Sequence, residues 1–252
     1  MRMNSITGKR ILALARGGDY AHPGEEEAIE LVMSRVAKRP GQVVLDVGCG
    51  CGGTAHYLAE HGWGEPVGVD VDPENITAAC EAYPAHPFIC ADVGNLAAAW
   101  PGRADVVCLF TAFYAFPDQA RALTQMREVA ADGATLVIVD YTWPAFDERS
   151  VALMAKRSGS WQPLRLERLP STLASAGWRL DSIVDLTAEF SRWYEDLAGR
   201  IVSAESAIVA YAGRAWFEHA SRWYRDLADH VREGVVGGAA AYAHAARPPA
   251  GL

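Results

Sequence analysis

No stretch of this chain approaches the ~18 consecutive apolar residues that a membrane-spanning helix needs, although half of its 252 residues are hydrophobic. The opening MRMNSITGKR has no apolar core of the kind a secretory leader carries. Lys and Arg nowhere gather into a stripe, so the electrostatic footprint of a nucleic-acid binder is missing. Cysteine is sparse. Cys49, Cys51, Cys80, Cys90 and Cys108 are odd in number and confined to the first half, which suits reduced, buried thiols better than disulfides. Zinc-binding pairs usually have two or more intervening residues. Cys49-x-Cys51 has one, and no second Cys or His pair stands at zinc spacing, so no metal is expected. These absences point to a cytoplasmic protein, monomer or homodimer, whose partner is a small molecule and neither nucleic acid nor membrane.

What is present is enough apolar material for one large α/β domain. The net charge of −8 is uneven, since the first 150 residues hold 11 basic and 20 acidic residues. Residues 24–38 open with Glu25-Glu26-Glu27 and carry apolar residues at Ala28, Ile29, Val32, Met33 and Val36, the spacing of an amphipathic helix whose acids match its dipole. Strand patterns then fall near 43–47, 66–70, 87–91, 104–110 and 134–140, with helices at 54–61, 73–83 and 117–130. Such alternation predicts a parallel sheet with right-handed crossovers, binding ligands at the carboxyl ends of its strands. After Asp140 the pattern loosens around Pro144, Pro163 and Pro170. A short helix ends at Ala176, with Gly177 as its cap. Trp178 to Leu186 reads as a strand, 189–212 and 214–232 as long helices, and Val235 to His244 as the last strand. Ser-Arg-Trp-Tyr-x-Asp-Leu-Ala occurs at 191–198 and again at 221–228; one recurrence is too few for a repeat architecture.

The most informative run is Val44-Leu45-Asp46-Val47-Gly48-Cys49-Gly50-Cys51-Gly52. A buried strand ends on an acid, and a glycine-dense turn opens into a helix whose unpaired N–H groups face the crevice. Gly48, Gly50 and Gly53 satisfy the G-x-G-x-x-G fingerprint of nicotinamide-binding enzymes. Gly48, Gly50 and Gly52 after Asp46 instead resemble motif I of the S-adenosylmethionine-dependent methyltransferases with a Rossmann-like fold. Asp46 favours the second reading, because a carboxylate there would repel a pyrophosphate and suits an ammonium group. Asp70 ends the second strand 18 residues after Gly52, the place of an acid that grips ribose. Asp92 ends the third strand, where the methyltransferases use an Asp against adenine. The stretches 104–118 and 131–140 resemble that family's fourth and fifth strands. No Tyr-x-x-x-Lys pair occurs, which removes the commonest short-chain reductase catalytic set.

The resemblance, over residues 40–140, implies an α/β, Rossmann-like, mostly parallel seven-stranded sheet with helices on both faces and a helical insertion before the last strand. It implies one domain over 1–252: an N-terminal cap at 1–39, a cofactor-binding core at 40–140, the rest of the sheet at 141–188 and 233–252, and a helical lid at 189–232. S-adenosylmethionine is the implied cofactor, leaving as S-adenosylhomocysteine. Asp46, Gly48, Cys49 and Gly50 would border its methionine part, Asp70 and Val71 the ribose and adenine, Asp92 and Val93 the adenine, and Phe110 the sulfonium end. Arg16 or His22 could lie near its carboxylate, but for Arg16 an ordinary surface salt bridge is the favoured role.

A sulfonium methyl is already activated, so the protein must chiefly place a nucleophile in line and exclude water. The family often carries a His or acid just after the fourth strand; here Thr111, Phe113 and Tyr114 stand there, with no carboxylate before Asp118. That departure favours proximity catalysis, with amine nitrogen ahead of oxygen or carbon as acceptor. Tyr114, Tyr20 and His22 are the catalytic candidates. Thr111, Tyr114, Tyr141, Trp143, Trp161, Trp193 and Tyr194 are the acceptor-pocket candidates, their aromatics able to attract an ammonium. Asp185-Leu186-Thr187 leading into Trp193-Tyr194 faintly resembles the sarcosine and dimethylglycine methyltransferases. A nicotinamide oxidoreductase and a cofactor-binding scaffold without activity are the rival readings.

Overall fold

The sheet grows outward from β1 (Val43–Val47), in which Val44 to Val47 are all buried. On one side it pairs in parallel with β2 (Glu65–Asp70), which pairs in parallel with β3 (Phe88–Cys90). On the other it pairs in parallel with β4 (Ala104–Phe110), followed by β5 (Ala130–Thr142). β6 (Trp178–Asp185) forms the far edge, and β7 (Gly237–Ala245) enters between β5 and β6, antiparallel to both. The order is β3-β2-β1-β4-β5-β7-β6. The computed structural model describes residues 1–143, 153 and 161–246; Pro144 and residues 247–252 lie outside the described residues.

The central strands read as continuous apolar runs because both their faces are covered. Val106, Cys108 and Phe110 turn to one layer with Val137, Val139 and Tyr141, while Val107 and Leu109 turn to the other with Leu136 and Ile138. The first layer is completed by α1 (Ile6–Arg16), α2 (Glu25–Met33) and α3 (Gly53–Glu60). α4 (Pro73–Ala82) flanks β2 and β3, capped by the Asp72 carboxylate accepting from Glu74 N at 3.0 Å. The second layer takes α5 (Leu96–Ala99), α6 (Gln119–Val129) and α7 (Leu169–Ser175). Trp178 pins β6 to this layer, its Nε1 donating to Leu123 O at 3.0 Å.

Three helices, α8 (Thr187–Ser203), α9 (Glu205–Ala212) and α10 (Arg214–Arg232), fill the connection from β6 to β7 and join the first layer. The long helix expected over 189–212 is broken at Ala204, without a Gly or Pro to mark the break; the next break, at Gly213, has φ +90°. The recurrent octapeptide falls on α8 and α10, and it stacks Tyr194 on Tyr224 with centroids 6.3 Å apart. Small residues of β7 let α8 lie close, since a Cβ on Gly238 would sit 2.4 Å from the Phe190 ring.

α2 is shorter than the 24–38 pattern predicts, giving way to a turn at Ser34 that still buries Val36. Its acids do more than match the helix dipole. Glu25 pairs with Arg16 of α1 at 2.9 Å and with Arg200 of α8 at 2.8 Å, and Glu27 pairs with Arg192 while accepting from Trp193 Nε1 at 3.1 Å. The N-terminal helices and the insertion are thereby tied to one another. Arg16 is not at the surface: its side chain is 1% exposed. No helix among the described residues is long and apolar enough to cross a membrane.

Candidate active site

The turn between β1 and α3 uses three glycines in the left-handed region, Gly48 (φ +83°), Gly50 (φ +57°) and Gly52 (φ +88°). Space demands glycine as well, for a Cβ on Gly48 would stand 2.4 Å from the Ala112 methyl. The amides of Gly48 and Cys49 both donate to Val69 O, at 2.7 and 3.0 Å, which locks the turn to β2. Cys49 and Cys51 are buried fillers beneath it, and burial pushes both thiols up.

Asp46 is 2% exposed, and its Oδ2 has no hydrogen-bond partner among the described residues. Burial, reinforced by the nearby Asp70 charge, pushes its carboxyl up to about 7, with Lys9 opposing. A buried carboxylate oxygen without a donor is costly, and it suits a cationic or N–H-bearing ligand. Asp70 is better provided for. Its Oδ2 accepts from Gly50 N at 2.9 Å, and its Oδ1 from Asp72 N at 2.9 Å and Asn75 Nδ2 at 3.2 Å. Lys9 of α1 stands 3.6 Å from Asp70 Oδ2.

Asp46, Asp70 and Asp92 thus lie at the carboxyl ends of three adjacent strands, but not in one environment. Asp92 is exposed at the rim, its Oδ1 accepting from Gly94 N at 2.7 Å. Val71 is 66% exposed beside it, and Val93 is buried in the second layer.

The segment after α1 lies against the glycine turn. Asp19 backbone lies 2.8 Å from where a Cβ on Gly53 would be. His22 is fully enclosed, its ring 4.9 Å from that of Phe110. Its Nδ1 lies 3.1 Å from Pro23 O, which requires a proton there, so Nε2 accepts from the Thr54 hydroxyl at 3.1 Å. Burial drives this ring down to about 3, leaving a neutral, weakly basic imidazole. Tyr20 donates its hydroxyl to Glu26 at 3.1 Å, and burial followed by the Glu26 charge raises it further. Neither group is poised as a base. Arg16 is committed to Glu25 at 2.9 Å and donates to Tyr20 O at 2.7 Å.

After β4, Thr111 takes φ +51°, a conformation costly for a β-branched residue. The following turn is held by Asp140 of β5, whose Oδ2 accepts from Tyr114 N at 2.9 Å and Oδ1 from Tyr141 N at 2.7 Å. Asp140 is 0% exposed, and burial raises its carboxyl to about 7 against the pull of these amides. The sheet register therefore brings a carboxylate to the turn where the sequence shows none.

Tyr114, Tyr141, Trp143, Trp161 and Tyr194 do converge. Tyr141 is 5.1 Å from Tyr114 and 5.9 Å from Trp161, Trp143 is 5.0 Å from Trp161, and the hydroxyls of Tyr141 and Tyr194 are hydrogen-bonded. Burial raises the Tyr194 hydroxyl. Trp193 departs from this group: its indole packs against Gly24 and donates to Glu27.

Residues 20–183 match the model of a methyltransferase domain family, ending just before α8. The 2-methyl-6-phytyl-1,4-hydroquinone methyltransferase of Synechocystis sp. is 34% identical over 118 residues, 45% of this chain and 36% of that protein. The tocopherol O-methyltransferase of Arabidopsis thaliana is 27% identical over 154 residues, 59% of this chain and 43% of that protein. The chain thus spans less than half the length of these curated relatives. Among solved structures, a protein assigned as a sarcosine dimethylglycine methyltransferase from Galdieria sulphuraria superposes with a TM-score of 0.84 at 14% identity, covering 97% of this chain and 99% of that one. That likeness is one of fold.

Proposed function

The chain belongs to the methyltransferase domain family, the S-adenosylmethionine-dependent methyltransferases with a Rossmann-like fold, and from this premise we propose that it methylates a small molecule, with amine nitrogen favoured as the acceptor. Membership removes the nicotinamide reading. The observation that carries the proposal is Asp46: a buried carboxylate oxygen without a donor, at the mouth of a glycine turn. The ammonium of the cofactor's methionine moiety supplies the missing partner. Gly48, Cys49 and Gly50 border that moiety, Asp70 and Val71 serve the ribose and adenine, Asp92 and the backbone N–H of Val93 the adenine rim, and the Phe110 backbone lines the sulfonium end.

Bound cofactor supplies an electrophilic methyl on sulfonium. This chain's residues bind it, cover it with α1 and the segment to His22, and present the acceptor from the side of Tyr114, Tyr141, Trp143, Trp161 and Tyr194. The aromatic faces suit the methylated ammonium formed when the lone pair of a neutral amine takes the methyl. Asp140, acting through the Tyr114 amide, positions the turn on which Thr111 and Tyr114 stand. With Tyr20 and His22 both committed elsewhere, alignment and exclusion of water do most of the work.

Labelled S-adenosylmethionine offered with panels of amines, phenols and carbon acids tests the proposal. Transfer to an amine is the expected result. Label on oxygen or carbon alone would overturn the acceptor, and tight S-adenosylhomocysteine binding with no transfer to any panel would favour the scaffold reading.

A further inference from the structure

The crevice is acidic, and the proposed cofactor is not simply cationic. Its amino-acid end also carries a carboxylate, which Asp46 and Asp70 repel. Three cations of the N-terminal segment come near. Arg16 is spent on Glu25 and Tyr20 O, and Arg10 pairs with Asp19 at 3.4 Å. Lys9 is different. It lies one helical turn before Ala13 on the inner side of α1, its side chain 14% exposed, and its ammonium reaches over the glycine turn. Nζ would lie 3.0 Å from a Cβ on Gly50, so the ammonium stands directly over the glycine turn. The 3.6 Å separation from Asp70 is an ion pair too long for a hydrogen bond, so its N–H donors are not consumed by that carboxylate.

Resting on the cofactor reading above, we propose that Lys9 binds the carboxylate of the cofactor's amino-acid end. The flexible four-carbon stem lets the ammonium leave Asp70 for the cofactor's carboxylate as the ribose hydroxyls take its place at Asp70. The cofactor's zwitterion is then matched charge for charge: Asp46 to its ammonium, Lys9 to its carboxylate. Because Lys9 is carried by α1, binding the amino-acid end also fastens the N-terminal helix over the site.

The test is calorimetry with two ligands that share the adenosyl group, S-adenosylhomocysteine and 5′-methylthioadenosine, which has no amino acid. Lys9→Met should weaken S-adenosylhomocysteine by about tenfold or more, the fold-change of one charge-assisted hydrogen bond, and leave 5′-methylthioadenosine within about twofold. Lys9→Arg should restore most of the difference. Unchanged or tighter S-adenosylhomocysteine binding in Lys9→Met would show that the lysine merely fills the crevice. Equal loss of both ligands would show that it only docks α1, and either result overturns the assignment. Wild-type protein that binds neither ligand would instead sink the cofactor reading itself.

Discussion

Acid should loosen the proposed cofactor through one carboxylate. The Asp46 carboxyl is raised to about 7 by burial first and by Asp70 second. Its folded value lies above its unfolded value, so its contribution to the stability of the ligand-free protein is fully present below about pH 4 and is lost as pH rises through about 7. The ligand's ammonium requires the ionised form, so below pH 7 binding must expel a proton. At pH 7 about half the sites are ready, and at pH 5.5 about 3%, so S-adenosylhomocysteine should weaken on the order of tenfold across that interval. The ligand's own α-amino group titrates near 8 and stays charged throughout. Calorimetry at several pH values, repeated in buffers of different ionisation enthalpy, reads both the affinity and the released proton. Asp46→Asn should bind more weakly at pH 7, by about 2 kcal/mol or more, and should lose this slope. A wild type and an Asp46→Asn protein with the same pH dependence would refute the reasoning, because Asp140, raised to a similar value, remains in both.

Three further outcomes are expected. His22 is held down to about 3, so its stabilisation is present above pH 6.5 and fades as pH falls towards 3; His22→Gln should remove about 2 kcal/mol of the stability lost between pH 7 and pH 5 in urea melts. Glu25→Gln leaves the buried Arg16 guanidinium without its counter-charge and should cost about 3 kcal/mol by denaturant titration, a loss below about 1 kcal/mol refuting the importance of this ion pair. Tyr194→Phe removes the hydroxyl bonded to Tyr141 and should cost about 1–2 kcal/mol, read as a lower thermal midpoint.

What could be read from the sequence was whatever local chemistry enforces. Gly48, Gly50 and Gly52 announce themselves because no other residue takes those backbone angles cheaply, and Asp72-Pro73 marks its helix because capping is a matter of adjacent residues. The strands of the core were visible because burial on both faces makes them uniformly apolar. What stayed hidden depends on docking across the chain. Lys9 carried no signal although Gly8, Ile11, Leu12 and Ala15 of α1 stand at helical spacing, because its partner Asp70 comes from a distant strand, and Asp140 looked like the end of a strand until register set it against the Tyr114 amide. Arg16 looked like a surface residue because its partners, Glu25 and through it Arg200, come from separate helices.

The placement of β7 between β5 and β6 has a consequence for biosynthesis. While the nascent chain emerges, β6 has no neighbour to join, and β5 keeps an open row of amides and carbonyls. About 50 residues separate Asp185 from Gly237, so at ~5–20 residues per second both edges wait several seconds for the strand that seals them. In that window α8 cannot dock, since the glycine that receives Phe190 has not yet been made. Chaperone capture, or stray pairing with another unfinished copy, would concentrate at that stage on the ribosome.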